Sequence, residues 1–308
     1  SIPSRALTMG IIFVSQTGAG ILGNTFLFSY YVFICCSGQR IRNTDWILMN
    51  LIFVNCLVLL SRGIPQAMQA FGMKYFLDDF GYKLVFYLNR VSRGVSLGTT
   101  SLLSGFQTII ISPSSPSQKK LKVKAPKYIG FSIILCWILH MLVNISALMY
   151  ITGKTWNRES KNLTENHDLG YCYGLITDSV TSLLHIVIYS FTDVLCLGFT
   201  VWASASMVLI LYRHKQNVLH IHSKNFSPKY SAETKATHSI LTLMSTFFSS
   251  YSLSSFFTFY MIYFDKPSGL LVDTTGTIAV CFPPLRPFVL ISGDPCVSRL
   301  CFACCARA

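Results

Sequence analysis

The sequence predicts an all-α membrane protein, a seven-transmembrane helix bundle filling residues 1–308 as one domain, with the N-terminus outside and the C-terminus cytoplasmic. Three observations carry this expectation. Only 12% of the 308 residues are charged and 52% are hydrophobic, whereas soluble domains carry about 25% charged residues. The mean hydropathy is +0.50. Apolar stretches of bilayer-spanning length, about 20 residues each, recur along the chain and are separated by short basic clusters. The net charge of +13 invites comparison with a nucleic-acid binder. Such proteins gather Lys and Arg in a stripe on a folded surface. Here they punctuate apolar runs, which excludes a basic soluble nucleic-acid-binding domain.

The predicted spans are about 8–36, 46–70, 80–112, 127–151, 183–212, 236–264 and 269–292. The first, second, fourth and sixth are clear apolar runs. The third carries Arg90 and Arg93, the fifth His185 and Asp193, and the seventh Arg286 and three prolines. Flanked by clear spans and joined by short links, these three read as spans that face a bundle interior, since charge facing lipid is costly. The first six residues, SIPSRA, lack the apolar core and cleavage site of a secretory signal. Position 1 is Ser rather than Met, so the sequence reads as trimmed or partial.

Orientation follows from the Lys and Arg between spans. Fourteen of the 25 fall in one set of links: Arg40 and Arg42, then 119–127, then 213–235, then Arg299 and Arg307. Seven fall in the alternate set, which also holds most of the acids, among them Asp78, Asp79, Glu159 and Glu165. The richer set is expected to be cytoplasmic. Asn162-Leu163-Thr164 is then a glycosylation signal in the longest outer loop, and Asn162 is the expected glycan site. Asn144-Ile145-Ser146 lies inside span four. Asn225-Phe226-Ser227 falls on the inner side and precedes Pro228, so neither is expected to be used.

Seven spans with an outside N-terminus suggest a G-protein-coupled receptor. The wording goes further in SRGIPQ (61–66), KYFLDDFGYKLVFYLNRVSRGVSL (74–97), LLSGFQ (102–107), ISPSSP (111–116) and LKVKAPKYIG (121–130). It continues in FTDVLCLG (191–198), WASASMVLILYRHKQ (202–216), HIHS (220–223) and PFVLIS (287–292). On these stretches the chain resembles the vomeronasal type-1 receptors, a family of pheromone receptors, over essentially its whole length. The resemblance implies a multi-pass plasma-membrane receptor that detects small pheromone-like molecules and signals through an inhibitory-class heterotrimeric G protein. It implies a disulfide between a Cys near the top of span three and one in the second outer loop. Cys172, in GYCYG, matches the second position, but Tyr82, in FGYKL, occupies the first. The usual bridge therefore cannot form. Arg286 stands where the family commonly has a small polar residue before Pro287. These departures are also what a degraded, non-functional copy would show.

Arg90 and Arg93 are three residues apart and share a helix face. Arg90 is expected about 15 Å below the outer end of span three at about 1.5 Å per residue. Asp193 falls at a similar depth in span five, and Arg90 and Asp193 are expected to pair. Arg62 lies near the outer end of span two. The bland reading is charges that neutralise one another and lock packing. The functional reading is a pocket with excess positive charge for an anionic or strongly hydrogen-bond-accepting small ligand, walled by Phe86, Tyr87, Tyr189 and Phe191. Its expected ligand-binding residues are Arg62, Arg90, Arg93, Asp193, Tyr87 and Tyr189.

The inner basic clusters, with Lys119, Lys120, Lys122, Lys124, Arg213 and Lys215, read as orienting charge attracted to anionic lipid or as G-protein contacts. Cys301, Cys304 and Cys305 follow span seven and are candidates for S-palmitoylation; no fourth ligand points to zinc. His214, His220 and His222 lack a metal partner set, and no metal or cofactor is expected. No nucleophile–base pair or phosphate loop is present, so no enzyme is expected. A seven-span transporter is the rival class. Transporters are often built from repeated halves, and an odd span count without a repeat resists halving.

Overall fold

A computed structural model describes residues 4–38, 43–73, 77–113, 116–145, 151–153, 166–168, 172–175 and 179–221, with separate positions between 242 and 256. Five long helices are described: α1 (Ser4–Cys36), α2 (Asn43–Ala70), α3 (Asp79–Ile111), α4 (Pro116–Asn144) and α5 (Ser179–Ile221). Among the described residues, all five contain a stretch long and apolar enough to cross a membrane. Their surfaces are turned inside out relative to a soluble bundle. Leu22 is 73% exposed, Phe33 68% and Phe131 65%, as expected where the surrounding solvent is hydrocarbon.

α3 is the hub. It packs against α2, α4 and α5, and its buried residues run through most of its length. At its N-terminal end Asp78 is the N-cap, its carboxylate accepting from the Gly81 amide at 2.9 Å. Asp79 in the first turn pairs with Lys83 at 2.8 Å on the surface. At its C-terminal end the Lys122 ammonium donates to the Ser112 carbonyl at 2.7 Å, supplying a partner just past the helix end.

α2 is α-helical over Asn43–Val58 and Ile64–Ala70, with one π-helical turn, Leu59–Gly63, between them. Pro65 explains the turn: it has no amide hydrogen, so the backbone ladder cannot pass it unchanged. The Ser61 hydroxyl donates to the Leu57 carbonyl at 2.6 Å, satisfying backbone near the break. Gly63 is required there, because a Cβ would run into the Thr17 hydroxyl of α1.

Without water to drive helices together, polar seams and close backbone approach hold them. Asn50 on α2 donates to the Thr99 hydroxyl at 2.8 Å and accepts from the Trp137 indole of α4 at 3.0 Å. This joins three helices at one side chain. Between α3 and α5, the Ser101 hydroxyl lies 2.8 Å from the Cys196 carbonyl and 2.9 Å from the Thr200 hydroxyl. Apolar packing fills the rest, with Leu27, Tyr31, Ile47, Leu48, Ile52, Leu103 and Phe106 forming the largest cluster.

Between α4 and α5 lies a three-stranded antiparallel sheet, β1 (Ile151–Gly153), β2 (Asn166–Asp168) and β3 (Cys172–Leu175), in the order β1-β3-β2. Cys172 is opposite Gly153, and β1 packs on α3. Tyr82, at the position where the resemblance expects a cysteine, is 2% exposed.

Two spans differ from the sequence expectation. For span four, predicted at 127–151, the helix starts at Pro116 and ends at Asn144, and Ile151–Gly153 is a strand. Hydropathy finds apolar residues, and the lysine-rich turns before them are helical too. For span five, predicted at 183–212, the helix runs over Ser179–Ile221. Most of span six and all of span seven, with Arg286, lie outside the described residues, as do Asn162, Cys301, Cys304 and Cys305.

Candidate ligand cavity between four helices

A small cavity opens where α3, α4, α5 and the sixth apolar segment converge. From α3 come Arg90, Arg93 and Gly94; from α4, His140 and Asn144; from α5, Thr192 and Asp193. Tyr251 closes it from the sixth segment, which is helical at 251–253. Arg90 and Arg93 share the face that α3 turns inward, answering the cost of placing charge in an apolar span.

Each charged group is held by a polar neighbour on another helix. Arg90 Nε donates to Asn144 Oδ1 at 3.4 Å. Asn144 is buried and donates from Nδ2 to the His140 carbonyl one turn earlier at 2.7 Å. The Arg93 guanidinium carbon lies 4.4 Å from the Tyr251 ring centroid, a cation–π contact. The Tyr251 hydroxyl donates to Asp193 Oδ2 at 2.6 Å. Tyr251, itself 6% exposed, therefore meets a cation on its ring face and an anion at its hydroxyl.

Local sequence explains the close fit. Gly94 has no Cβ, and one would enter the His140 imidazole. Gly98, one turn deeper, makes the same allowance for the Cys136 sulfur. The pair lets α4 approach α3 closely enough for His140 to become 3% exposed.

The structure gathers Arg90, Arg93 and Asp193 into one cavity. Arg62 lies half-buried in the π-helical turn of α2, outside the lining. Tyr87 braces the wall, its hydroxyl donating to the Met141 carbonyl of α4 at 3.0 Å. Phe191 is 60% exposed, on the outer surface of α5. The side chain of Tyr189 lies outside the described residues.

His140, Asn144, Thr192 and Tyr251 line the cavity without having been expected there from sequence. His140 and Asn144 carry a signal: they are one turn apart in an otherwise apolar span, and intramembrane polar residues mark functional sites. Tyr251 carries little, because it sits in a serine-rich run, FFSSYSLSSFF. Of the expected basic contacts, Lys119, Lys120, Lys124 and Arg213 are exposed, while Lys122 turns inward to Ser112. The side chain of Lys215 lies outside the described residues.

A sequence profile of the vomeronasal organ pheromone receptor family matches residues 7–303. Vomeronasal type-1 receptor 4 of Homo sapiens is 53% identical over 300 residues, covering 97% of this chain and 98% of that one. Vomeronasal type-1 receptor 3 of Homo sapiens is 48% identical over 305 residues, covering 99% and 96%. More distantly, Olfactory receptor class A-like protein 1 of Danio rerio is 29% identical over 286 residues, covering 92% and 89%. With a profile match over nearly the whole chain and relatives at about half identity, the chain belongs to the vomeronasal type-1 receptor family of seven-transmembrane G-protein-coupled receptors.

Proposed function

We propose that this receptor detects a small organic anion in the cavity between α3, α4, α5 and the sixth segment, and signals through an inhibitory-class heterotrimeric G protein. The observation that carries this reading is the charge balance of the lining: two arginines face one acid. A carboxylate or sulfate entering the cavity meets both guanidiniums, whose fork of donors suits planar oxyanions. The buried His140 and Asn144 add hydrogen-bonding groups at the α4 wall.

The same geometry offers a route from binding to signalling. Tyr251 joins the sixth segment to α3 through Arg93 and to α5 through Asp193. An anion bound to Arg93 competes with the Tyr251 ring for that cation. A ligand shifts an equilibrium only by its differential affinity for the two states. An anion that binds best where Arg93 has left the ring favours a rearranged sixth segment. We place the cavity toward the outer side, with the N-terminus outside and the C-terminus cytoplasmic. The exposed Arg213 and its neighbour Lys215, at the other end of α5, then lie on the G-protein side.

The test is a screen in cells carrying a promiscuous G protein, with surface display confirmed first. Matched carboxylate, neutral amide and amine members of each scaffold are compared. The reading predicts that responders are anions and that an inhibitory-class G protein carries the native signal. Responses confined to amines would overturn it.

A further inference from the structure

α4 has two faces, and its basic residues divide between them. The inward face runs Lys122, Ala125, Ile129 and Ile133 at three- and four-residue steps. Lys122 is bound to the Ser112 carbonyl, and the other three pack on the main apolar cluster. The outward face runs Lys120, Lys124, Lys127, Phe131, Ile134 and Ile138 at the same steps, and every one is exposed. Phe131 is 65% exposed, Ile134 59% and Ile138 45%, which marks this as the face α4 turns to hydrocarbon. The lysines therefore continue a lipid-facing stripe past the edge of the bilayer. Lys119 stands beside them, also exposed, and Val123 between them is 69% exposed.

We infer that Lys119, Lys120, Lys124 and Lys127 form a binding site for the headgroups of anionic phospholipids in the inner leaflet. A lipid whose chains lie along Phe131, Ile134 and Ile138 has its headgroup at the level of the lysines. Charge complementarity and continuity with the apolar stripe select a lipid over a protein. A G protein docks beneath the bundle, whereas these four ammonium groups point outward from its flank. The exposed Val123, among the lysines, adds an apolar contact at the acyl boundary. The assignment to the inner leaflet rests on the orientation proposed above; the choice of anionic lipid does not.

The test uses the full chain in nanodiscs of phosphatidylcholine, with and without phosphatidylserine, read by melting temperature. Phosphatidylserine is expected to raise the melting temperature of the unaltered chain. Changing all four lysines to Gln is expected to abolish that rise. Lys122→Gln is expected to lower the melting temperature in both lipids but keep the rise, because it removes a helix-end contact. Titration of a short-chain phosphatidylserine should show affinity falling about five-fold for each lysine removed. A rise that survives in the fourfold variant overturns the proposal. So does loss of G-protein nucleotide exchange by that variant in phosphatidylcholine alone with the rise intact, since the lysines would then be protein contacts. Nanodiscs present the same lipid at both ends of the bundle, so an inverted orientation would leave this result unchanged and would show instead in the site of glycosylation.

Discussion

The Tyr251 hydroxyl donates a 2.6 Å hydrogen bond to Asp193 on α5, while Arg93 of α3 lies 4.4 Å over the centre of the same ring. One side chain thus ties three transmembrane segments through two chemically different contacts. A hydroxyl donating to a carboxylate is among the stronger hydrogen bonds, and depriving the half-buried Asp193 of its donor carries a cost. The cation on the ring needs only the aromatic face. The two ties can therefore be cut separately.

Tyr251→Phe removes the donor and keeps the ring. It is expected to destabilise the folded receptor by about 1–3 kcal/mol, read as a lower melting temperature. Asp193→Asn in the same chain should recover part of that loss, because a neutral amide is cheaper to leave without this donor. Equal losses that simply add would show that the hydroxyl and the carboxylate are not energetically coupled.

Gly94→Ala places a methyl group against the His140 imidazole. Overpacking of this kind costs about 1–3 kcal/mol, and expression at the surface should fall with it. His140→Ala opens the space, so the double substitution should express better than Gly94→Ala alone. If Gly94→Ala is neutral, α4 stands further from α3 than described.

Tyr82→Cys creates the cysteine that the family pattern expects opposite Cys172. Tyr82 is 2% exposed, so the change also removes packing. A bridge contributes about 2–4 kcal/mol, enough to offset part of that loss. Tyr82→Cys should therefore be more stable than Tyr82→Ala, with the advantage lost on reduction or when Cys172→Ser is added. No advantage under oxidising conditions would mean that the buried Tyr82 holds its end of α3 without a bridge.

Asn162→Gln should abolish the mobility shift produced by glycosidase treatment of the expressed chain. A glycan at Asn225 instead would invert the bundle.

Parts of the fold are legible in the sequence because hydrocarbon is a demanding solvent. Spans two and three, expected at 46–70 and 80–112, are helices Asn43–Ala70 and Asp79–Ile111. The fourth helix differs from its expected range at both ends. Its first turns are lysine-rich and invisible to hydropathy, and its apolar continuation, Ile151–Gly153, pairs with Cys172–Gly174 as a strand. Arg90, Arg93 and Asp193 stand out as site residues because charges in spans are rare. Their neighbours are harder to read. Lys122 and Lys124 look alike in sequence, and only the helix phase separates the one bound to Ser112 from the one left exposed. Tyr251 is one aromatic among many, and nothing in its local pattern announces contact with both a cation and an acid.

In the proposed function, Arg90 and Arg93 read the negative charge of the ligand. The most direct measurement compares the potency of an anionic agonist and of its neutral isostere on the unaltered receptor, Arg90→Gln and Arg93→Gln, at matched surface expression. Losing one charge-assisted contact should weaken the anion about ten- to a hundred-fold, while the isostere keeps its weaker potency within a few-fold. Equal weakening of both ligands, or no weakening of either, would contradict the claim and leave the arginines as groups that hold the helices together.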